Sequence, residues 1–338
     1  MGLGLAVVLL TGVSCSGGRA GSDFQRGFVL TGWNADSYLT PRSDALIDRM
    51  AAAGSSHAGL FTQWFMDAPE SSHVAPDPGR TPTDAALEHA ADRMRAAGMD
   101  ITLKPQIGIR TGAWIATARP ADLDSFWVDY RTMLIHYADL AERIRGGTLV
   151  IGTEMRSLSS DASRWRALIA ELREHFHGAL TYAANWDEFQ AVPFWDALDY
   201  IGIDAYFPLA DVADPAPSVE RLAVAWGARG YVGKIAAVSR RFGKKVLFTE
   251  IGYRGVHATA AHPSVWSSAR YVIDLQAQAD AYEAFYTAVA RQPWMAGVYW
   301  WDVNADHWWA GDYSPLGKPA ADVMSEWNRR IAASPRTF

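Results

Sequence analysis

The sequence predicts one α/β domain, a single (β/α)8 TIM barrel, on three observations. Eight short runs rich in Val, Ile, Leu and aromatic residues recur along the chain. They are near-continuously apolar, as parallel strands covered on both faces must be. Helical stretches, several closed by glycine, lie between most of them. Eight such units in about 310 residues fit the ~250 residues plus insertions of a barrel. The competing architecture, a doubly wound open sheet, needs a glycine-rich phosphate loop after its first strand. Here the first strand runs into "TGWNADSY", which has none.

Taken in order, the strands are expected at 27–33, 56–65, 100–107, 148–154, 179–186, 199–206, 245–250 and 297–302. The first helix, 43–54, opens on a Ser/Asp cap and stops at Gly54. The second, 81–98, stops at Gly98, and the third, 122–147, at Gly146. Further helices are expected at 163–176, 218–243, 269–292 and 319–333. The connection "DEFQAVPFWDAL" is short and interrupted by Pro193, so its helix is brief.

The 338-residue chain is 49% apolar and 20% charged, the composition of a globular protein. A net charge of −6 and the lack of any Lys/Arg run argue against nucleic acid. Fifteen Trp and thirteen Tyr offer flat apolar faces with polar handles, suited to sugar rings. The single cysteine, Cys15, excludes an internal disulfide. It follows "MGLGLAVVLLTGVS", which resembles a lipoprotein leader with Cys15 as the lipidated residue. The expected organisation is a signal peptide over 1–14, a flexible tether over 15–26 and the barrel over 27–338. The expected location is outside the cytoplasm, lipid-anchored at the cell envelope, or else periplasmic or secreted.

Two strands end in a carboxylate: "LVIGTE" in Glu154 and "KVLFTE" in Glu250. A buried strand has no use for a charge unless it emerges where the charge is needed. Active sites of such barrels lie at the C-terminal strand ends. Glu154 ends the fourth strand and Glu250 the seventh, on facing walls of the mouth. Paired carboxylates so placed are what glycoside hydrolysis requires, one protonated and one ionised. Either glutamate alone would read as a structural ion pair.

The segments "IGTEM", "YAANWDEFQAVPFWDALDYIGIDAYFPL", "FTEIGYRG" and "GVYWWDV" together resemble glycoside hydrolase family 113, over roughly residues 27–330. The resemblance implies a (β/α)8 β-mannanase with Glu154 as acid/base, Glu250 as nucleophile and retention of configuration. Thr153 stands where most families of the wider clan place Asn before the acid/base, so the contact to the sugar 2-hydroxyl is expected to be weaker or to come from elsewhere.

Further candidates for substrate binding lie at the strand ends. Tyr206 is placed to hydrogen-bond the nucleophile, or is a core tyrosine. Asp204 shares its strand end. Asn185 and Trp186 end the fifth strand, where Asn185 reads a hydroxyl or caps a turn. Lys104, a charge inside "ITLKPQI", needs a carboxylate or a sugar as partner. Trp33 and Trp64 end the first two strands. Of the adjacent Trp300 and Trp301, parity favours Trp301 facing in. No HExxH, phosphate loop or GxSxG is present, and no cofactor or metal is expected. The expected partner is an oligo- or polysaccharide, and the protein a monomer. Two rivals remain: a transglycosylase acting on envelope polysaccharide, and a sugar-binding barrel without chemistry.

Overall fold

The computed structural model describes residues 24–211, 214, 217–265 and 272–333. The leader, its Cys15 and most of the tether lie outside the described residues. Eight parallel strands close into one barrel in sequential order: β1 (Gln25–Thr31), β2 (His57–Met66), β3 (Asp100–Ile109), β4 (Thr148–Thr153), β5 (Ala179–Asn185), β6 (Ile201–Asp204), β7 (Val246–Ile251) and β8 (Met295–Asn304). β1 pairs with both β2 and β8, which closes the ring.

β1 begins two residues before the expected start of the barrel. Gln25 is buried, and its carboxamide oxygen accepts from the Tyr299 hydroxyl at 2.8 Å. That hydroxyl also meets Thr102 Oγ1 at 2.6 Å, plugging the barrel interior. Gly27 makes room for this plug: a Cβ there would lie 2.6 Å from the Tyr299 ring.

Among the described residues, eight helices flank the strands: α1 (Pro41–Ala52), α2 (Asp84–Ala96), α3 (Leu123–Arg143), α4 (Ala162–His175), α5 (Val219–Ala228), α6 (Tyr231–Phe242), α7 (Leu275–Ala288) and α8 (Pro319–Ala333). α1 starts earlier than expected. Thr40 accepts from the Ser43 amide and Pro41 sits in the first turn, where its missing N–H costs nothing. The single helix expected over 218–243 is two. Gly230, at φ 77°, breaks it with a left-handed turn that other residues adopt reluctantly. The helix expected over 269–292 begins only at Leu275, with Asp274 capping the Ala277 amide. The β5–β6 connection holds only a 3-10 turn, Trp195–Ala197.

Between barrel and helices lies an aromatic layer. Trp165 stacks on Phe194, and Trp300 lies flat on Tyr282 of α7, centroids 3.6 Å apart. Inside the barrel a second cluster includes Val29, Phe61, Leu247, Tyr299 and Trp301. Trp300 therefore faces out and Trp301 in, as parity requires.

Candidate active site

A cleft of about 900 Å³ opens at the C-terminal ends of the strands. Both glutamates line it, with Trp33, Gln63, Gln106, Trp114, Thr153, Asn185, Trp186, Tyr206 and Trp301.

Glu250, the penultimate residue of β7, is 5% exposed. Three donors converge on its carboxylate. Lys104 Nζ lies 3.0 Å from Oε1, Gln106 Nε2 donates to Oε1 at 3.0 Å, and the Tyr206 hydroxyl donates to Oε2 at 2.8 Å. Asp204, the strand neighbour of Glu250 on β6, is fully buried. It lies 3.4 Å from Lys104 Nζ and accepts from Thr249 Oγ1 at 2.8 Å. Burial works against the Lys104 charge, but the Asp204 and Glu250 carboxylates more than offset it, and the ammonium ends above the usual lysine range. Burial, with Glu250 nearby, raises the Asp204 carboxyl to about 7.

Glu154 follows β4 with φ 52°, a left-handed conformation that costs a non-glycine residue on the order of 1–3 kcal/mol. Its surroundings hold it there. Its amide donates to the Ala183 carbonyl at 2.8 Å, and the next amide, Met155, donates to the Tyr182 hydroxyl at 2.8 Å. Tyr182 in turn donates to Glu188 Oε1 at 2.8 Å, and Glu188 Oε2 accepts from the Asn185 amide at 3.2 Å. The ends of β4 and β5 are thus tied through one buried carboxyl. Trp114 Nε1 donates to Glu154 Oε2 at 2.6 Å. Glu154 is half-buried, and loss of solvent around its carboxyl pushes it well above the usual carboxylate range. The charges of Asp204 and Glu250 push the same way; the Trp114 donor and Lys104 pull back.

The site therefore holds two carboxyls in unlike states. One is favoured as the neutral acid. The other receives three donors, one of them an ammonium. This is the division of labour between general acid and nucleophile.

Trp33, Thr153, Asn185, Trp186, Tyr206 and Trp301 all reach the cleft. Trp64 does not. Gln63 faces inward, so its neighbour Trp64 faces outward, packing against His136 and Tyr137 of α3. Lys104 and Asp204, also expected to bind substrate, are both buried beneath the cleft wall, where Lys104 meets the carboxylates of Glu250 and Asp204, one of the two kinds of partner the sequence allowed it. Asp302, next to Trp301 on β8, is buried and accepts from Thr31 Oγ1 at 2.6 Å.

Four residues escaped the sequence reading: Gln63, Gln106, Trp114 and Glu188. Gln106 lies two residues from Lys104 and shares its face of β3, so parity carried that signal. Trp114 and Glu188 sit in loops, where no period marks them. Gln63 Nε2 and Asn185 Oδ1 are buried at the cleft without a hydrogen-bond partner among the described residues, which suits them to sugar hydroxyls. Among the described residues, no group of three or more His, Cys, Asp or Glu could hold a metal ion.

A closed eight-stranded parallel barrel with glutamates at the mouth ends of β4 and β7 defines a glycoside hydrolase of the (β/α)8 type. The profile of Glycoside Hydrolase Family 113 matches residues 27–314, and the chain belongs to that family. Among solved structures, the GH113 β-mannanase AaManA from Alicyclobacillus acidocaldarius, in complex with ManMIm, matches with TM-score 0.83 and 26% identity. The match covers 91% of this chain and 98% of that one. A GH113 β-1,4-mannanase matches with TM-score 0.80 and 26% identity, over 90% of this chain and 99% of that one. GH5_18 from Streptomyces cattleya, in complex with Manb1-4GlcNAc, is 17% identical with TM-score 0.60 over 91% and 80% of the chains, a likeness of fold. None of the curated proteins matches the chain significantly.

Proposed function

We propose that this glycoside hydrolase cleaves β-1,4-linked mannan or manno-oligosaccharides with retention of configuration, Glu250 serving as nucleophile and Glu154 as acid/base. The observation that carries the reading is the electrostatic asymmetry of the pair. Glu250 accepts from Lys104, Gln106 and Tyr206, while burial raises the Glu154 carboxyl. The β-mannanase neighbours, aligned over nine-tenths of the chain, support the choice of sugar.

In the first step a Glu250 oxygen attacks the anomeric carbon as the glycosidic C–O bond breaks. The proton of Glu154 goes to the departing oxygen. A glycosyl ester on Glu250 and a free alcohol result. In the second step Glu154, now ionised, takes a proton from water. That water's oxygen bonds to the anomeric carbon, and the Glu250 carboxylate is released.

Proton NMR of the first product from β-1,4-manno-oligosaccharides tests this directly. An initial β-anomer is expected; an initial α-anomer overturns retention. Product sizing on a panel of mannan, glucan and xylan tests the sugar, and turnover confined to glucan or xylan overturns the mannan assignment.

A further inference from the structure

Trp114 stands out among the large apolar side chains of the cleft. Its side chain is 44% exposed, whereas Trp301 is 3% exposed and Trp33 packs on Phe61 at 4.7 Å. Its backbone is nevertheless fixed. The Trp114 carbonyl accepts both the amide and the hydroxyl of Thr117, at 2.9 and 2.7 Å. Ile115, Ala116 and Ala118 beyond it are buried. The Arg119 and Ala121 amides then tie the segment to Pro69 and Glu70 at 2.7 and 2.9 Å. An anchored backbone thus presents a large flat ring to the cleft, with its polar edge on Glu154 Oε2 at 2.6 Å. Such a ring contributes apolar contact area at little entropic cost.

Its position says which sugar meets it. Glu250 lies deep, so the sugar whose anomeric carbon it attacks sits over the barrel floor. The scissile oxygen reaches Glu154, and the sugar beyond that oxygen extends outward. Trp114 lines the same cleft, bonded to Glu154, and is the more exposed of the two. The indole N–H also fills Oε2, so the acidic proton resides on Oε1. That is the oxygen left to face the departing group.

Building on the proposed role of Glu154, we propose that Trp114 is a positioning residue with two functions: its N–H fixes which Glu154 oxygen carries the transferred proton, and its ring face holds the leaving-group sugar of a β-linked oligosaccharide. The leaving group is thereby bound and protonated by one fixed unit. In the second step the same N–H stabilises the ionised Glu154 while it takes the proton from water.

The test compares Trp114→Phe and Trp114→Ala on two substrates: a β-1,4-manno-oligosaccharide, and a dinitrophenyl β-mannoside that needs neither acid nor a leaving-group sugar. Phe keeps a ring and loses the donor. Since the donor holds the Glu154 carboxyl down, its loss should move the basic limb of the kcat/KM profile on oligosaccharide to higher pH, with KM changed little. Ala loses the ring as well. Its KM for oligosaccharide should rise about tenfold, the scale of one aromatic contact. Its loss of kcat/KM on the dinitrophenyl substrate should be at least tenfold smaller. An unshifted limb in Trp114→Phe overturns the proton assignment. Equal losses on both substrates in Trp114→Ala overturn the sugar platform. Glu154→Ala, run in parallel, separates the two readings. Selective loss on oligosaccharide there, with unselective Trp114 variants, defeats only the Trp114 proposal. Equal loss on both substrates in Glu154→Ala defeats the acid/base assignment and the Trp114 proposal with it.

Discussion

Lys104 Nζ lies 3.0 Å from Glu250 Oε1, and the side chain that brings it there is 1% exposed. The same ammonium faces Asp204 at 3.4 Å, so one buried positive charge serves two buried carboxyls. Removing one partner of such a group leaves uncompensated charge in a low dielectric. Lys104→Met should cost about 3–5 kcal/mol of stability and most of the activity. Asp204→Asn added to Lys104→Met should recover part of the stability, because one of the two unpaired carboxyls is gone. Denaturant unfolding of the two variants measures this. A double variant no more stable than the single would show that the cluster is held by packing rather than charge.

On the proposed assignment, the raised Glu154 carboxyl sets the alkaline side of the pH profile. The first step needs its proton, so kcat/KM should be lost as pH rises through the elevated value. Glu154→Gln cannot ionise there. It should lose about 10²–10⁴-fold on unactivated oligosaccharide, and its residual rate should lack the alkaline fall. A Gln variant that keeps that fall would assign the limb to another group.

Tyr182 bridges the Met155 amide and the Glu188 carboxyl, and so holds the turn that aims Glu154. Tyr182→Phe strands a buried amide, at about 1–3 kcal/mol. Misplacing the acid/base should lower kcat on oligosaccharide by roughly tenfold or more with little change in KM. If stability falls while kcat holds, the bridge supports the fold without aiming the acid.

Asp302 is raised to about 7, first by burial, in spite of its bond from Thr31. Its folded-state value lies above its unfolded one, so the folded protein binds this proton more tightly. The resulting stability is fully present below the ordinary aspartate range and is lost as pH rises through about 7. Asp302→Asn should flatten the decline in melting temperature between about pH 5 and pH 8. An equally steep decline in that variant would place the pH dependence elsewhere.

The sequence by itself determined the barrel, the order of its strands, and the two glutamates at the ends of the fourth and seventh. These are local properties: an apolar run of strand length, a capped helix after it, and a charge where the run stops. Trp301 was legible for the same reason, since alternation along one strand needs no knowledge of its neighbours. Tertiary structure decided what each strand-end residue touches. Register shifts between β4 and β5 and between β6 and β7 set the phase in which Thr153, Asp204 and Glu250 meet their neighbours. Phase at a bulge depends on the partner strand, not on the strand's own sequence. Trp64 lies on the regular β2–β3 pairing and faces outward by alternation with Gln63, while Lys104 on β3 meets Glu250 and Asp204 only because the barrel closes over them. Trp114 and Glu188 were illegible for a different reason. Each lies in a loop: Trp114 reaches Glu154 across 40 residues, and Glu188 meets Tyr182 and the Asn185 amide through a local turn that no hydrophobic period marks. A strand announces its buried face by period, whereas a loop side chain gains its meaning from the contact it makes.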